Sequence, residues 1–124
     1  MTLDEFRHEM NENRRDAKKD ADAFKDPVLV FERMQALYRK FDAAERRMAD
    51  QVIAEWLSSA NEALRFEACI LTTELNIVSA VPALKELAKR LPSMREPGAP
   101  SELKAVHRAI TELKEGHRSD EAEG

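Results

Sequence analysis

Residues 62–91, EALRFEACILTTELNIVSAVPALKELAKRL, decide the fold. Leu64, Phe66, Ala68, Cys69, Ile70, Leu71 and Leu75 are apolar over most of a helical circumference, which predicts a deeply buried helix. Asn76 supplies a stop and Ser79 a cap. Pro82 then falls in a first helical turn, where its missing N–H costs nothing. Ala80, Leu84, Leu87, Ala88 and Leu91 form the stripe of a second helix. The stretch therefore reads as two helices joined by a short turn.

Working upstream, Ser58-Ser59-Ala60-Asn61 is a break. Before it, Met48, Ala49, Val52, Ile53, Trp56 and Leu57 mark a helix, with Asp42 and Glu45 as its capping box. Val30, Phe31, Met34, Leu37, Tyr38 and Phe41 mark another, with Asp26 as cap and Pro27 at the first helical position. The N-terminal helix opens on a Thr2/Glu5 capping box and carries Leu3, Phe6, Met10, Ala17, Ala21 and Phe24 in a thin stripe among many charges. Downstream, Pro92 to Pro100 reads as a loop. Ser101 caps a last helix with Leu103, Val106, Ile110 and Leu113, closed by Gly116 and followed by a polar tail. The fold class predicted is all-α, with about six helices in antiparallel pairs.

The chain compares well with itself. Moved by 34 residues, the second helix lands on the fourth: Val30 on Leu64, Met34 on Ala68, Leu37 on Leu71, Phe41 on Leu75. Moved by 35, the third lands on the fifth, Trp56 on Leu91 among others. Moved by 38, Ala68 lands on Val106. Self-similarity of this kind marks stacked helix pairs, each covering its neighbour's apolar face.

With Arg65 three residues before Ala68, and Ala80, Pro82 and Leu84 in the partner helix, residues 62–91 resemble a HEAT-type helical repeat. Residues 27–57 match in apolar positions only, and Phe31 stands where Arg65 does. The resemblance implies a right-handed α-solenoid with a binding surface and no inherent catalysis. On that reading residues 1–25 form a capping helix, 26–58 the first repeat, 59–91 the second, 92–100 a Pro-rich loop and 101–116 a C-terminal helix, all one domain, with 117–124 a polar tail. More weakly, the short acidic chain resembles small helical immunity proteins of bacterial toxin systems, which implies a toxin domain as partner.

Composition narrows the functions. The 124 residues are 43% hydrophobic and carry 24 acids against 20 bases, a net charge of −4. That is a globular chain rather than a disordered one, and not a basic nucleic-acid binder. A lone Cys69 excludes an internal disulfide, and three glycines build no phosphate loop. No apolar run approaches the ~20 residues that span a bilayer. The stretch Met1-Thr2-Leu3-Asp4-Glu5 lacks a basic region followed by an apolar run, so no secretory signal is visible and the expected address is cytoplasmic.

No catalytic, cofactor or metal constellation is apparent. Glu5 and His8 are spaced as half of a di-iron site, but the second half is missing. His107 sits at a stripe's edge, His117 in the tail, and Cys69 reads as a small buried hydrophobe. Basic pairs such as Arg14-Arg15 and Arg46-Arg47 are interleaved with acids, which weakens any field felt by a phosphate backbone. Protein binding remains the expected function, with a nucleic-acid-binding repeat or a scaffold subunit as alternatives. The candidate partner-binding residues lie on the second helix of each pair: Asp50, Gln51 and Glu55 in one, Lys85, Glu86, Lys89 and Arg90 in the other. The 35-residue offset sets Asp50 beside Lys85 and Glu55 beside Arg90. Trp56 is either a core seal between repeats or an exposed hot spot.

Overall fold

The structure is a computed structural model; it describes the backbone of residues 1–123 and the side chains of residues 1–115. Among the described residues it is all-helical, with no strand. The helices are α1 (Leu3–Ala23), α2 (Leu29–Lys40), α3 (Ala43–Trp56), α4 (Glu62–Glu74), α5 (Val81–Arg90) and α6 (Ala99–Glu123). Short 3₁₀ turns at Val78–Ala80 and Leu91–Ser93 flank α5. The chain divides into two compact units, Met1–Val52 and Ile53–Gly124, and the division falls within α3.

Capping chemistry sets several of these boundaries. The Asp42/Glu45 box is complete: the Asp42 amide donates to Glu45 Oε1 at 3.0 Å and the Glu45 amide to Asp42 Oδ1 at 2.8 Å. Thr2 accepts from the Glu5 amide at 3.1 Å, and its own hydroxyl donates to the Glu5 carboxylate. Asn61 caps α4 by accepting from the Leu64 amide at 3.2 Å.

Two helices end in the same way. Past α1, Lys25 takes a φ of 53°; the Lys25 amide donates to the Asp22 carbonyl and the Asp26 amide to the Ala21 carbonyl. Past α4, Asn76 takes a φ of 54°, with Asn76 bonded to Thr73 and Ile77 to Thr72. Both are Schellman closures, and in both a residue other than glycine carries the left-handed turn. Asn tolerates that conformation better than Lys, because its short polar side chain bonds locally.

Five expected boundaries move. The α2 helix starts at Leu29 rather than Pro27, because Asp26 spends its carboxylate on the Val28 amide in the preceding turn. It ends at Lys40, leaving Phe41 extended. Ser79 caps nothing: the backbone reaches α5 through the 3₁₀ turn, and Ala80 is the residue before the helix. The last helix starts at Ala99, with Pro100 in its first turn and the Glu102 amide bonded to the Gly98 carbonyl, so Ser101 lies inside it. That helix also continues through Gly116. The His117 side chain lies outside the described residues.

In the first unit α1 packs on α2. Phe6, Met10, Ala17 and Ala21 are buried on one helix, Val30 and Met34 on the other. The two alanines on α1 leave room for a close approach, and an ion pair between Asp20 and Arg33 bridges the same two helices. Phe24 breaks the expected stripe: it is the residue after the helix and stands 72% exposed.

In the second unit α6 packs on both α4 and α5. Leu57, Ala68, Leu71, Leu84, Leu87, Leu91, Val106 and Leu113 are buried there. Deleting one such leucine side chain costs about 2–5 kcal/mol. Glu62 lies against Gly98, Arg65 bonds Glu102, and Cys69 Sγ lies 3.8 Å from the Ala105 carbonyl. These partners rise together along both helices, so α4 and α6 run in the same direction. Trp56 is 5% exposed, the burial expected of a core residue.

Candidate functional site

The α4–α6 pairing places the most unusual polar group of the molecule. Arg65 is 1% exposed. A buried guanidinium must find acceptors for its donors, because a bare charge in low dielectric is costly. Here Nε and Nη2 donate to the two Glu102 carboxylate oxygens at 2.8 and 3.1 Å, a bidentate fork. Nη2 also donates to Glu96 at 2.6 Å, and Nη1 to the Ser59 carbonyl at 3.0 Å. The hydrogen bond with Glu102 pushes the Arg65 pKa up, against desolvation, so the group stays charged. Glu102 is itself buried, and Glu96 reaches in from the Pro-rich segment.

Glu62 joins this cluster. Its carboxylate lies over Gly98 at the start of α6, and oxygens of Glu62, Glu96 and Glu102 come within 4.8 Å of one another. Two of these three carboxylates, Glu96 and Glu102, share the Arg65 guanidinium. Arg65 already occupies Glu96 and Glu102, so a metal ion would compete with it for two of its three ligands. Beside the cluster opens a cavity of about 570 Å³, lined by Asn61, Glu62, Ala63, Phe66, Gly98, Ser101 and Glu102.

Phe66 also lines a second cavity of about 720 Å³ between α4 and α6, with Cys69, Ile70, Thr73, Lys104, Ala105, Arg108, Ala109 and Glu112. The two form one groove with Phe66 at its middle. Phe66 is 49% exposed, a large apolar ring held at the surface. The fourth helix is therefore not apolar-buried all round, as its composition suggested: it buries Arg65, Glu67 and Thr72 and exposes Phe66. Cys69 is buried, and desolvation, with Glu102 and Glu112 adding to it, pushes its thiol pKa up to about 11. At neutral pH it is a protonated, poorly nucleophilic group.

The expected partner-binding residues have mixed fates. Lys85, Glu86, Lys89 and Arg90 share the exposed part of α5. Lys89 pairs with Glu86 at 3.4 Å, and Arg90 donates to the Leu57 carbonyl at 3.2 Å. Glu55 is half-buried and Gln51 exposed. Asp50 is not an open acid: it accepts from the Tyr38 hydroxyl at 2.8 Å. Burial is the main cause that raises the Asp50 pKa, and it also pushes Tyr38 up to about 12, where the Asp50 bond adds to the effect. The Arg46 guanidinium sits 5.4 Å from the Tyr38 ring centroid.

The first unit has its own cavity, about 670 Å³, lined by Asp16, Lys19, Asp20, Arg33, Leu37 and Lys40 among others. Its charges are mixed and Asp20 is paired with Arg33. His8 and His107 are both exposed. No helix is long and apolar enough to cross a membrane among the described residues. No family model, curated protein or solved structure matches the chain.

Proposed function

We propose that the chain is a non-enzymatic protein-binding module built on HEAT-like helix pairs, and that it neutralises a bacterial toxin domain by direct binding. The observation that carries the repeat reading is the parallel placement of α4 and α6. Arg65 and Glu102 stand 37 residues apart and Cys69 and Ala105 stand 36 apart, close to the 38-residue shift at which the two helices resemble each other in sequence. A stacked repeat places equivalent helices side by side in this way.

The binding surface on this reading is the exposed charged part of α5, Lys85, Glu86, Lys89 and Arg90, with Glu55 of the same unit. Its acids would occlude a basic cleft, and the net charge of −4 would speed the encounter. The chain works in the cytoplasm on this account, needs no cofactor, and engages neither a membrane nor, as its main partner, nucleic acid.

The test is capture on the tagged full chain at low and moderate salt, beside the variant Glu55→Lys/Glu86→Lys, which reverses the acids of that surface. One stoichiometric toxin-like protein, lost with the variant at matched melting temperature, is the expected result. Nucleic acid that washes off with salt would replace this reading by the nucleic-acid-binding one. A large assembly captured equally by both chains would replace it by a scaffold role.

A further inference from the structure

We propose that the α4–α6 groove is the contact surface between two copies of this chain, joined about a two-fold axis through Phe66. The groove is apolar in the middle and polarised at its ends. At one end the carboxylates of Glu62, Glu96 and Glu102 lie together, and the Arg65 guanidinium pairs with two of them, Glu96 and Glu102, which leaves an excess of negative charge. At the other end Lys104 and Arg108 face a single carboxylate, Glu112, which leaves an excess of positive charge. A surface with this pattern is complementary to itself once turned by 180°.

The register follows from the helix spacing. With Phe66 stacked on its symmetry mate, Ile70 of one copy meets residue 62 of the other. The α4–α6 contacts put the level of Ile70 between Lys104 and Arg108. The Glu62 carboxylate of each copy therefore falls between those two cations of its partner, twice per dimer. Phe66, held 49% exposed on a helix whose inner face is fully packed, packs on its mate at the axis and covers the near end of the partner's cavity at Ile70. An aromatic anchor at the centre of a patch, flanked by opposite charges, is the pattern that carries binding energy in small interfaces. One groove of two helices predicts a weak, concentration-dependent dimer. The proposal uses residues other than those assigned to the toxin partner and stands or falls apart from that reading.

Sedimentation of the full chain over a concentration series tests it. The wild type is expected to move from monomer to dimer. Phe66→Ser should weaken association about tenfold or more while the chain stays folded, because the ring is already half in water. Glu62→Lys and the double variant Lys104→Glu/Arg108→Glu should each lose the dimer alone. Mixed together they should regain it, because both contacts of the mixed pair become attractive. A wild-type chain that stays monomeric at millimolar concentration overturns the proposal and leaves the groove to a foreign helix. So does a mixture no more associated than its components, or a dimer indifferent to Phe66→Ser.

Discussion

The two units solve the same packing problem with different chemistry. In Met1–Val52 the polar links lie at the surface or half-buried: Asp20 with Arg33, and Tyr38 with Asp50 under Arg46. In Ile53–Gly124 the main link is a desolvated one, Arg65 with Glu102, both almost without exposure. The self-comparison makes the contrast sharper, because Phe31, half-buried, aligns with Arg65 at the 34-residue shift. An apolar residue there can be exchanged for another at modest cost. A buried ion can be removed only by stranding its partner, which makes the second unit intolerant at one point and the first tolerant at several.

The largest expected effect breaks that contrast directly. Arg65→Ala leaves Glu102 buried and unpaired, and should cost about 3–5 kcal/mol in chemical denaturation. Phe31→Leu, the matching change in the first unit, should cost under about 1.5 kcal/mol. Equal losses would remove the distinction.

Smaller effects sharpen it. Tyr38→Phe removes one hydrogen bond and leaves Asp50 part-buried without its hydroxyl donor, for about 1 kcal/mol, read from the urea midpoint. Lys25→Gly should stabilise by about 0.5–1 kcal/mol, because glycine takes the left-handed turn without strain. Asn76→Gly should gain less, since asparagine already tolerates the turn.

Asp50 gives a pH test. Its pKa is raised in the folded chain, so folding favours its protonated form. The stability it contributes is present below its unfolded pKa and is lost as pH rises through the folded value. Asp50→Asn should flatten that fall in a urea-midpoint series across the carboxylate range, at about pH 3 to 6. An unchanged slope would show that Asp50 is not the desolvated group described.

Much of the fold was legible in the chain. The helical periods at 30–41 and 81–91 and the Asp42/Glu45 box are local signals, and the structure repeats them. The boundaries that moved are those where two local devices compete, such as Asp26 choosing a turn amide over a helix amide. The groove was not legible. Phe66 sits among apolar neighbours and looks like core; only the packing of α6 leaves it outside. The carboxylate acceptors of Arg65 lie 31 and 37 residues away, beyond any helical window. Of the residues read as partner-binding, those on α5 are exposed as expected, while Asp50 is engaged by a tyrosine twelve positions earlier.

Both the repeat reading and the contrast between the units rest on Arg65 and Glu102 holding α4 and α6 as neighbours. A double-mutant cycle on Arg65→Met and Glu102→Leu tests this most directly. The account predicts large single losses, a double variant more stable than either single, and a coupling of about 2–3 kcal/mol. Single effects that simply add would contradict it.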